Sequence, residues 1–318
     1  MNRREFLKSG AAVSAGVLAR GLLPAQTAPA APVTAQTTVP VQAPTLVTEF
    51  HPLRSDTGYF TGRGGTIGWL AAPDGLVAVD TQFPDTAAIF LQGLPGRNGR
   101  KLDAVINTHH HGDHTGGNGV FQPATGTIVA QANVPGLMLA AAKRAPNAPA
   151  PTLPDATFPE TWRREFGRET VSARYFRPAH TGGDIVVHFE HANVVHTGDL
   201  MFNRMYPVID RVAGGRFKGW VITLEELVRT YPADAIYLFG HGNAKFGVTG
   251  GQADMLAFRD YLAALLAHVE SGIKAGQSRE EIVKLDNLPG FPDLHVPPGP
   301  GNRLAGNLGA AYDELTGA

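Results

Sequence analysis

The chain has 318 residues, 43% of them hydrophobic and 17% charged, with a net charge of −1. That length can bury a large core in one sizeable domain or at most two, and the near-neutral balance gives no bulk electrostatic reason to bind nucleic acid. Cysteine is absent, which excludes disulfides, thiolate nucleophiles and thiolate-held metals.

The amino terminus reads as a targeting segment. Asn2-Arg3-Arg4-Glu5-Phe6-Leu7-Lys8 carries paired arginines, a mildly apolar run follows from Ala11 to Leu23, and Ala28-Pro29-Ala30 offers a small-residue cleavage site. The run holds about 13 residues against the roughly 20 that a membrane span needs, so no stable membrane span is expected. Residues 1–30 resemble a twin-arginine signal peptide, which implies recognition by the twin-arginine export machinery and a periplasmic or otherwise exported location. Residues 31–44, rich in Ala, Pro, Thr, Gln and Val, read as a linker, and 45–318 as the domain.

Thr66–Leu70 and Leu76–Val79 are short β-type runs, joined by Pro73-Asp74-Gly75 as a turn in which Gly75 takes a positive φ. Asp80, at the end of the second run, is expected to support a site rather than form it. Pro84–Leu94 has helical spacing with Pro and Asp in its first turn. Leu102–Asn107 is a strand that runs straight into His109-His110-His111-Gly112-Asp113-His114-Thr115. If extended backbone continues there, alternation puts His109 and His111 on one side, and Gly112 then lets the chain turn. Imidazole and carboxylate without thiolate suit zinc, with iron or manganese also compatible. The competing reading of a His cluster alone is a solvated, adventitiously sticky loop.

Thr127–Ala130 follows as a strand, Asn133–Arg144 as a helix, and Ala145–Pro159 as a long surface loop. Strand-like Arg174–Arg177 leads into Pro178-Ala179-His180-Thr181-Gly182-Gly183-Asp184. A hairpin comes next, Ile185–Phe189 and Val194–His196, ending in Thr197-Gly198-Asp199; later, Ala235–Phe239 is closed by Gly240-His241-Gly242. Strand ends therefore carry His109 and His111, His180, Asp199 and His241, a placement that core histidines alone would not produce. In the loop after Asp199, Arg204 is the cation nearest the cluster and the candidate to hold an anionic group of a small-molecule substrate, while Arg211, Arg216 and Lys218 read as solvated. Of the other histidines, His110 points away from its neighbours, His188 and His191 read as solvated, His196 is a candidate support for Asp199, and His51, His268 and His295 have no context. Val221–Tyr231, Gly251–Glu270, Ser278–Leu285 and a segment from about Leu304 have helical patterns, with Leu288–Gly301 as loop.

In order, His109-x-His111-x-Asp113-His114, His180 before Thr-Gly-Gly-Asp, Thr197-Gly198-Asp199 and Gly240-His241-Gly242 resemble the motifs of the metallo-β-lactamase-fold hydrolases, over about Thr45 to His241. The resemblance implies a four-layer αβ/βα sandwich of two mixed β-sheets with helices outside. It also implies two Zn²⁺ (iron or manganese as alternatives), one held by His109, His111 and His180, the other by Asp113, His114 and His241, with Asp199 bridging. Branches that hydrolyse lactams through a cysteine ligand place that cysteine where Asp199 stands. An Asp there is instead the pattern of glyoxalase-II-like thioesterases, lactonases and phosphodiesterases. The expectation is a metal-dependent hydrolase of a small molecule with an ester, thioester, lactone or amide bond, using a metal-bridging hydroxide as nucleophile and Asp113 to orient it or relay its proton. β-Lactamase activity, or an iron-dependent sulfur dioxygenase-like oxidoreductase, is the alternative on the same ligand set. Nucleic acid is not an expected substrate.

Overall fold

The structure, a computed structural model, describes residues 46–145, 147–292, 294 and 302–318. The expected signal peptide (1–30), linker (31–44) and His295 lie outside the described residues. Residues Thr45–Ala318 make one compact unit.

The chain opens with an antiparallel meander: β1 (Glu49–Pro52), β2 (Thr57–Thr61), β3 (Ile67–Ala72) and β4 (Gly75–Val79). The β3–β4 connection is tighter than expected: Gly75 pairs directly with Ala72, leaving Pro73 and Asp74 as the turn, and its φ is not positive. Glycine is needed there for space, because a Cβ would meet the Phe166 side chain 2.7 Å away. Helix α1 (Pro84–Gly93) starts on Pro84 with Asp85 in its first turn and buries Thr86, Ala87, Phe90 and Leu91. Then come β5 (Ala104–Asn107), the single turns α2 (Gly112–Thr115) and α3 (Asn118–Phe121), β6 (Ile128–Gln131), α4 (Val134–Arg144) and β7 (Ala156–Phe158). Strands β4 to β7 pair in parallel and complete a seven-stranded mixed sheet in the order β1 to β7. The stretch expected as loop from Ala145 to Pro159 thus contains an edge strand.

The second sheet is built from β8 (Thr161–Phe166), β9 (Glu169–Tyr175), β10 (Ile185–Phe189), β11 (Val194–His196), β13 (Ile236–Leu238) and β15 (Thr249–Gly250), in the order β15-β13-β11-β10-β9-β8. Between them, β12 (Phe202–Asn203) pairs in parallel with β14 (His241–Gly242), setting Phe202 opposite His241. Helices α5 (Phe217–Thr230), α6 (Gln252–Lys274), α7 (Arg279–Ile282) and α8 (Arg303–Thr316) finish the chain.

The packing makes four layers. Between the sheets lies one core, with Leu70, Val77, Val79, Ile106 and Val129 from the first facing Val171, Ile185, Val187, Phe189 and Val194 from the second. Outside the first sheet, Phe60, Trp69, Leu76 and Val105 pack on Ala87, Phe90 and Leu91 of α1. Outside the second, Val186, Val195 and Tyr237 pack on Leu224 and Leu227 of α5, the Met255–Val269 stripe of α6, and Leu304 and Leu308 of α8. The α6 stripe, Met255, Phe258, Tyr261, Leu262, Leu265 and Val269, has the i, i+3, i+4 spacing of a one-sided apolar helix. Each such fully buried side chain stabilises the fold by roughly 1.5–3 kcal/mol. The expected αβ/βα sandwich is the observed one.

Candidate metal centre

Buried strands end at one edge of the sandwich, where open α/β sheets place their sites. β4 delivers Asp80, β5 delivers His109–His114, the β9–β10 connection delivers His180, β11 delivers Asp199 and β13 delivers His241. The Ile185 amide donates to the Thr108 carbonyl (2.9 Å) and the Thr66 amide to the Gly240 carbonyl (3.0 Å), which tie the two sheets together at that edge.

His109 and His111 do converge, but not by strand alternation. β5 stops at Asn107; bends follow at 108–110, and His111 is extended immediately before the α2 turn. Gly112 is the first residue of that turn and a Cβ there would meet nothing within 4 Å, so it is not the hinge that was expected. Two other glycines are required by close approach. A Cβ on Gly240 would fall on Asp199 Oδ1, and Gly198, at φ 50°, packs on the Thr108 side chain.

The seven expected ligand residues converge. His109, His111, His180 and Asp199 form one group and Asp113, His114 and His241 another, each with its donor atoms within 4.8 Å of one another. His111 Nδ1 lies 3.1 Å from His109 Nε2 and 3.0 Å from His180 Nε2. A tetrahedral zinc with bonds of 2.0–2.1 Å has ligand–ligand edges of about 3.3 Å, close to these. His241 Nε2 lies 3.1 Å from Asp113 Oδ2 and 3.4 Å from His114 Nε2. Asp199 stands between the groups: Oδ1 is 3.0 Å from His114 Nε2, and Oδ2 is 3.4 Å from His241, 3.6 Å from His180 and 3.9 Å from His109.

The outward-facing nitrogens show that these donors fit a cation. His180 Nδ1 is 2.7 Å from the Val208 carbonyl, which can only accept, so Nδ1 carries the proton and Nε2 turns a lone pair inward. His114 Nδ1 is 2.7 Å from Asp80 Oδ2 and His111 Nε2 is 3.2 Å from Asp210 Oδ2, with the same consequence at their inner nitrogens. For His109 the link is one step longer. The Thr108 hydroxyl gives its proton to Asp80 (2.7 Å), so its oxygen accepts from His109 Nδ1 at 3.1 Å. Four imidazole lone pairs therefore face one another and the Asp199 carboxylate across about 3–4 Å, a repulsive set unless a cation or protons lie among them.

Without metal the polypeptide answers that repulsion with protons. Complete burial drives His109 well below the ordinary histidine range, and burial together with His111 takes His180 down to about 3. Burial opposes charge on His114 and His241 as well. There, however, Asp199 first, then Asp80 and Asp113, hold His114 well above the usual range, and Asp199 with the hydrogen bond that His241 donates to Asp113 raises His241 to about 9. Against its own burial, Asp199 is held well below the carboxylate range by His241 and His114, and Asp113 falls to about 2 through His114 and His241.

Asp80 is the support that was expected: fully buried, at φ 68°, it accepts from the Thr108 amide (2.7 Å), the Thr108 hydroxyl and His114. His196 braces the turn before Asp199 without touching a ligand, donating from Nε2 to the Thr66 carbonyl and accepting at Nδ1 from the Gly198 amide. His110 is buried and does not point clear of its neighbours: it groups with His111 and Asp210 rather than with the other expected ligands. His191 is exposed, whereas His188 is half-buried with its ring 5.1 Å from Tyr231, a correction to its expected solvation. Arg204 touches no ligand. It lies 3.7 Å from Asp254, 5.7 Å from the Phe246 ring centre, and lines a cavity of about 290 Å³ with Phe258, Tyr261 and Phe291. Arg211 is not solvated but paired with Glu314 at 3.2 Å.

Sequence reasoning missed Val208, Asp210 and Asp184. Asp184 accepts from the Thr181 amide (2.7 Å) and hydroxyl, closing the His180 loop, and the Thr-x-x-Asp spacing was a usable signal for it. Asp210, 11 residues beyond Asp199 in a basic loop with no motif around it, offered none.

The fold and cluster define a four-layer αβ/βα protein with a His/Asp centre suited to metal ions. The family model described as "Metallo-beta-lactamase superfamily" matches residues 60–241, and the chain belongs to that superfamily. Among curated relatives it is 33% identical over 176 residues to the hydroxyacylglutathione hydrolase of Methylococcus capsulatus, covering 52% of this chain and 59% of that one. It is 28% identical over 191 residues to the enzyme of the same name from Brucella anthropi, covering 56% and 62%. The chain thus spans about three-fifths of the length of the curated relatives it matches. Among solved structures it resembles a metallo-beta-lactamase from Pontibacter korlensis (TM-score 0.57, 17% identity, 68% of this chain and 99% of that one). It also resembles the stereoselective inverting sec-alkylsulfatase Pisa1 from Pseudomonas sp. (TM-score 0.66, 15% identity, 85% and 50%). At those identities the structural likeness concerns the fold alone.

Proposed function

We propose that the protein is a metal-dependent hydrolase of a small molecule with an ester, thioester, lactone or amide bond, and that it works with two zinc ions. The observation that carries this is the set of four imidazoles whose outer nitrogens are all engaged, leaving their lone pairs convergent on Asp199. Relatives named hydroxyacylglutathione hydrolase support a thioester within that range. His109, His111 and His180 would hold one ion, Asp113, His114 and His241 the other, and Asp199 both. When bound, such ions lower the pKa of a water from 15.7 to roughly 7 and polarise a carbonyl oxygen.

The chain's own residues do the rest. Asp113 is 29% exposed at the mouth of the centre, where its carboxylate would orient an incoming water and relay a proton to the leaving group. Phe202, stacked on His241 with ring centres 5.4 Å apart, closes one side of the centre to water. Arg204, one residue beyond β12, would receive an anionic end of the substrate only by leaving Asp254, since its cavity is lined by none of the seven ligand residues. Residues 1–30 would send the folded enzyme through the twin-arginine route to the periplasm, which fractionation of cells with and without an Arg3→Lys, Arg4→Lys change would test.

The functional test is a panel of a glutathione thioester, a lactone, a carboxylic ester, a phosphodiester and a chromogenic β-lactam, assayed on zinc-loaded and on chelator-treated protein. Zinc-dependent turnover of an acyl substrate is the expected result. Stoichiometric iron with oxygen uptake, and no hydrolysis with zinc restored, would overturn the reading.

A further inference from the structure

Asp210 lies outside every motif that points to the centre, yet its carboxylate reaches two adjacent histidines. Its Oδ2 is 3.2 Å from His111 Nε2 and 3.5 Å from His110 Nε2, and its Oδ1 accepts the Ala213 amide at 2.9 Å. Among the described residues neither ring nitrogen of buried His110 has an aligned hydrogen-bond partner, and the Asp210 carboxylate is the acceptor that lies near its Nε2. The backbone around Asp210 is stitched to the His180 loop. The Asp210 amide donates to the His180 carbonyl (3.0 Å), Gly182 to Ala213 (2.8 Å), and Arg216 to Ala179 (2.7 Å). Val208 in the same segment supplies the carbonyl that fixes His180 Nδ1. Gly215 permits the crossing, since a Cβ there would sit 2.6 Å from the His180 carbonyl oxygen. At its far end the segment is anchored by Glu314 of α8, which accepts from the Arg211 guanidinium (3.2 Å) and from the amides of Phe217 (2.7 Å) and Lys218 (3.1 Å).

We infer that residues 208–215 form a strap that orients two of the three histidines of one metal position, with Asp210 as the positioning residue for His111 and the Ala213 amide as the donor that keeps the Asp210 carboxylate in place. The inference rests on the proposed metal-holding role of the cluster. An imidazole has two equivalent-looking nitrogens, and only an acceptor at Nε2 forces the proton there and the lone pair to Nδ1. His180 is served by a backbone carbonyl that no side-chain substitution removes. Among the described residues Asp210 is the acceptor at His111 Nε2, so this is the point at which the position can be weakened selectively.

The discriminating variant is Asp210→Asn. Its amide oxygen still accepts the Ala213 amide, so the strap keeps its turn. Its NH₂ then faces His111 Nε2 and favours the opposite tautomer, with an N–H aimed at the metal. Zinc titration of the full chain against a competing chromophoric chelator, with cobalt spectra to resolve the two positions, should show a 10- to 100-fold weaker affinity at one position. The other position and the melting temperature of the metal-free protein should stay at their wild-type values. Wild-type affinity at both positions in Asp210→Asn overturns the inference alone. A wild-type chain that binds no metal overturns the proposed function and the inference together. If Asp210→Asn does not fold, imidazole ¹⁵N shifts of the wild-type protein decide: a proton on His111 Nε2 supports the inference, and one on Nδ1 refutes it.

Discussion

Replacing Asp80 by asparagine changes one atom and should unbalance the centre on the opposite side from Asp210. Asp80 is fully buried and accepts three donors. Oδ1 takes the Thr108 amide at 2.7 Å, and Oδ2 takes both the Thr108 hydroxyl and His114 Nδ1 at 2.7 Å. The asparagine oxygen must remain on the Thr108 amide, because an NH₂ there would face an N–H. Its NH₂ therefore occupies the Oδ2 position and meets His114 Nδ1, which can be accommodated only if the imidazole moves its proton to Nε2. That proton would point at Asp199 Oδ1, 3.0 Å away, where the metal should bind. The same NH₂ deprives the Thr108 hydroxyl of its acceptor, so the link that orients His109 is disturbed too. The lost His114 bond alone is worth about 1.5–3 kcal/mol, which corresponds to at least about a 10- to 100-fold loss of affinity at the Asp113/His114/His241 position, with a smaller loss at the other. Competitive zinc titration reads this directly, with far-ultraviolet circular dichroism of the metal-free variant as the control for folding. Two zinc ions bound within threefold of wild type by a folded Asp80→Asn protein would refute the reasoning.

Metal binding should release protons. His241 sits at about 9 and His114 well above its ordinary 6.5 in the metal-free protein, so both are charged at pH 7, whereas His109 and His180 are already neutral. Calorimetry in two buffers of different ionisation enthalpy should give about two protons displaced per chain at pH 7, with affinity rising as pH approaches 9 and His241 loses its proton; no net release would contradict this. Gly240→Ala drives a Cβ onto Asp199 Oδ1 with the Gly198 backbone 2.8 Å away on the other side. It should cost about 1–3 kcal/mol of overpacking and weaken both metal positions, read as a lower melting temperature and less bound zinc. Trp220 is fully buried, donates from its indole nitrogen to the Leu200 carbonyl at 3.0 Å and lies 5.5 Å from the His180 ring. Trp220→Ala should cost about 3–5 kcal/mol in urea unfolding, and a loss under about 1 kcal/mol would show that the α5 face is not the anchor described.

What was legible in the sequence follows from what leaves a local trace. Ligands at strand ends are legible because a buried run such as Ala104–Asn107 followed at once by polar, metal-competent residues has no other economical explanation. Helix α6 is legible from its apolar stripe, and α7 from Ser278 and Glu281, which make a reciprocal cap. Strand β8, Thr-Trp-Arg-Arg-Glu-Phe, is an exposed edge held by pairing to β9, so it carries no apolar pattern to find. The short β1, ending in Pro52, is invisible for the same reason. The convergence of His109 and His111 was anticipated correctly from a wrong local geometry, since bends rather than a continuing strand bring them together. Asp210 and Val208 were out of reach because orienting a histidine needs one acceptor at one spot in space, and the chain supplies it from a loop whose composition reads as solvated.

The most direct test of the account is the number of metal ions held per chain by untagged protein after equilibrium dialysis, beside a His111→Ala variant. The account predicts about two ions per wild-type chain, filling one three-histidine and one Asp/His/His position, and a loss of about one on His111→Ala. Less than one ion per wild-type chain, or no change on His111→Ala, would contradict it.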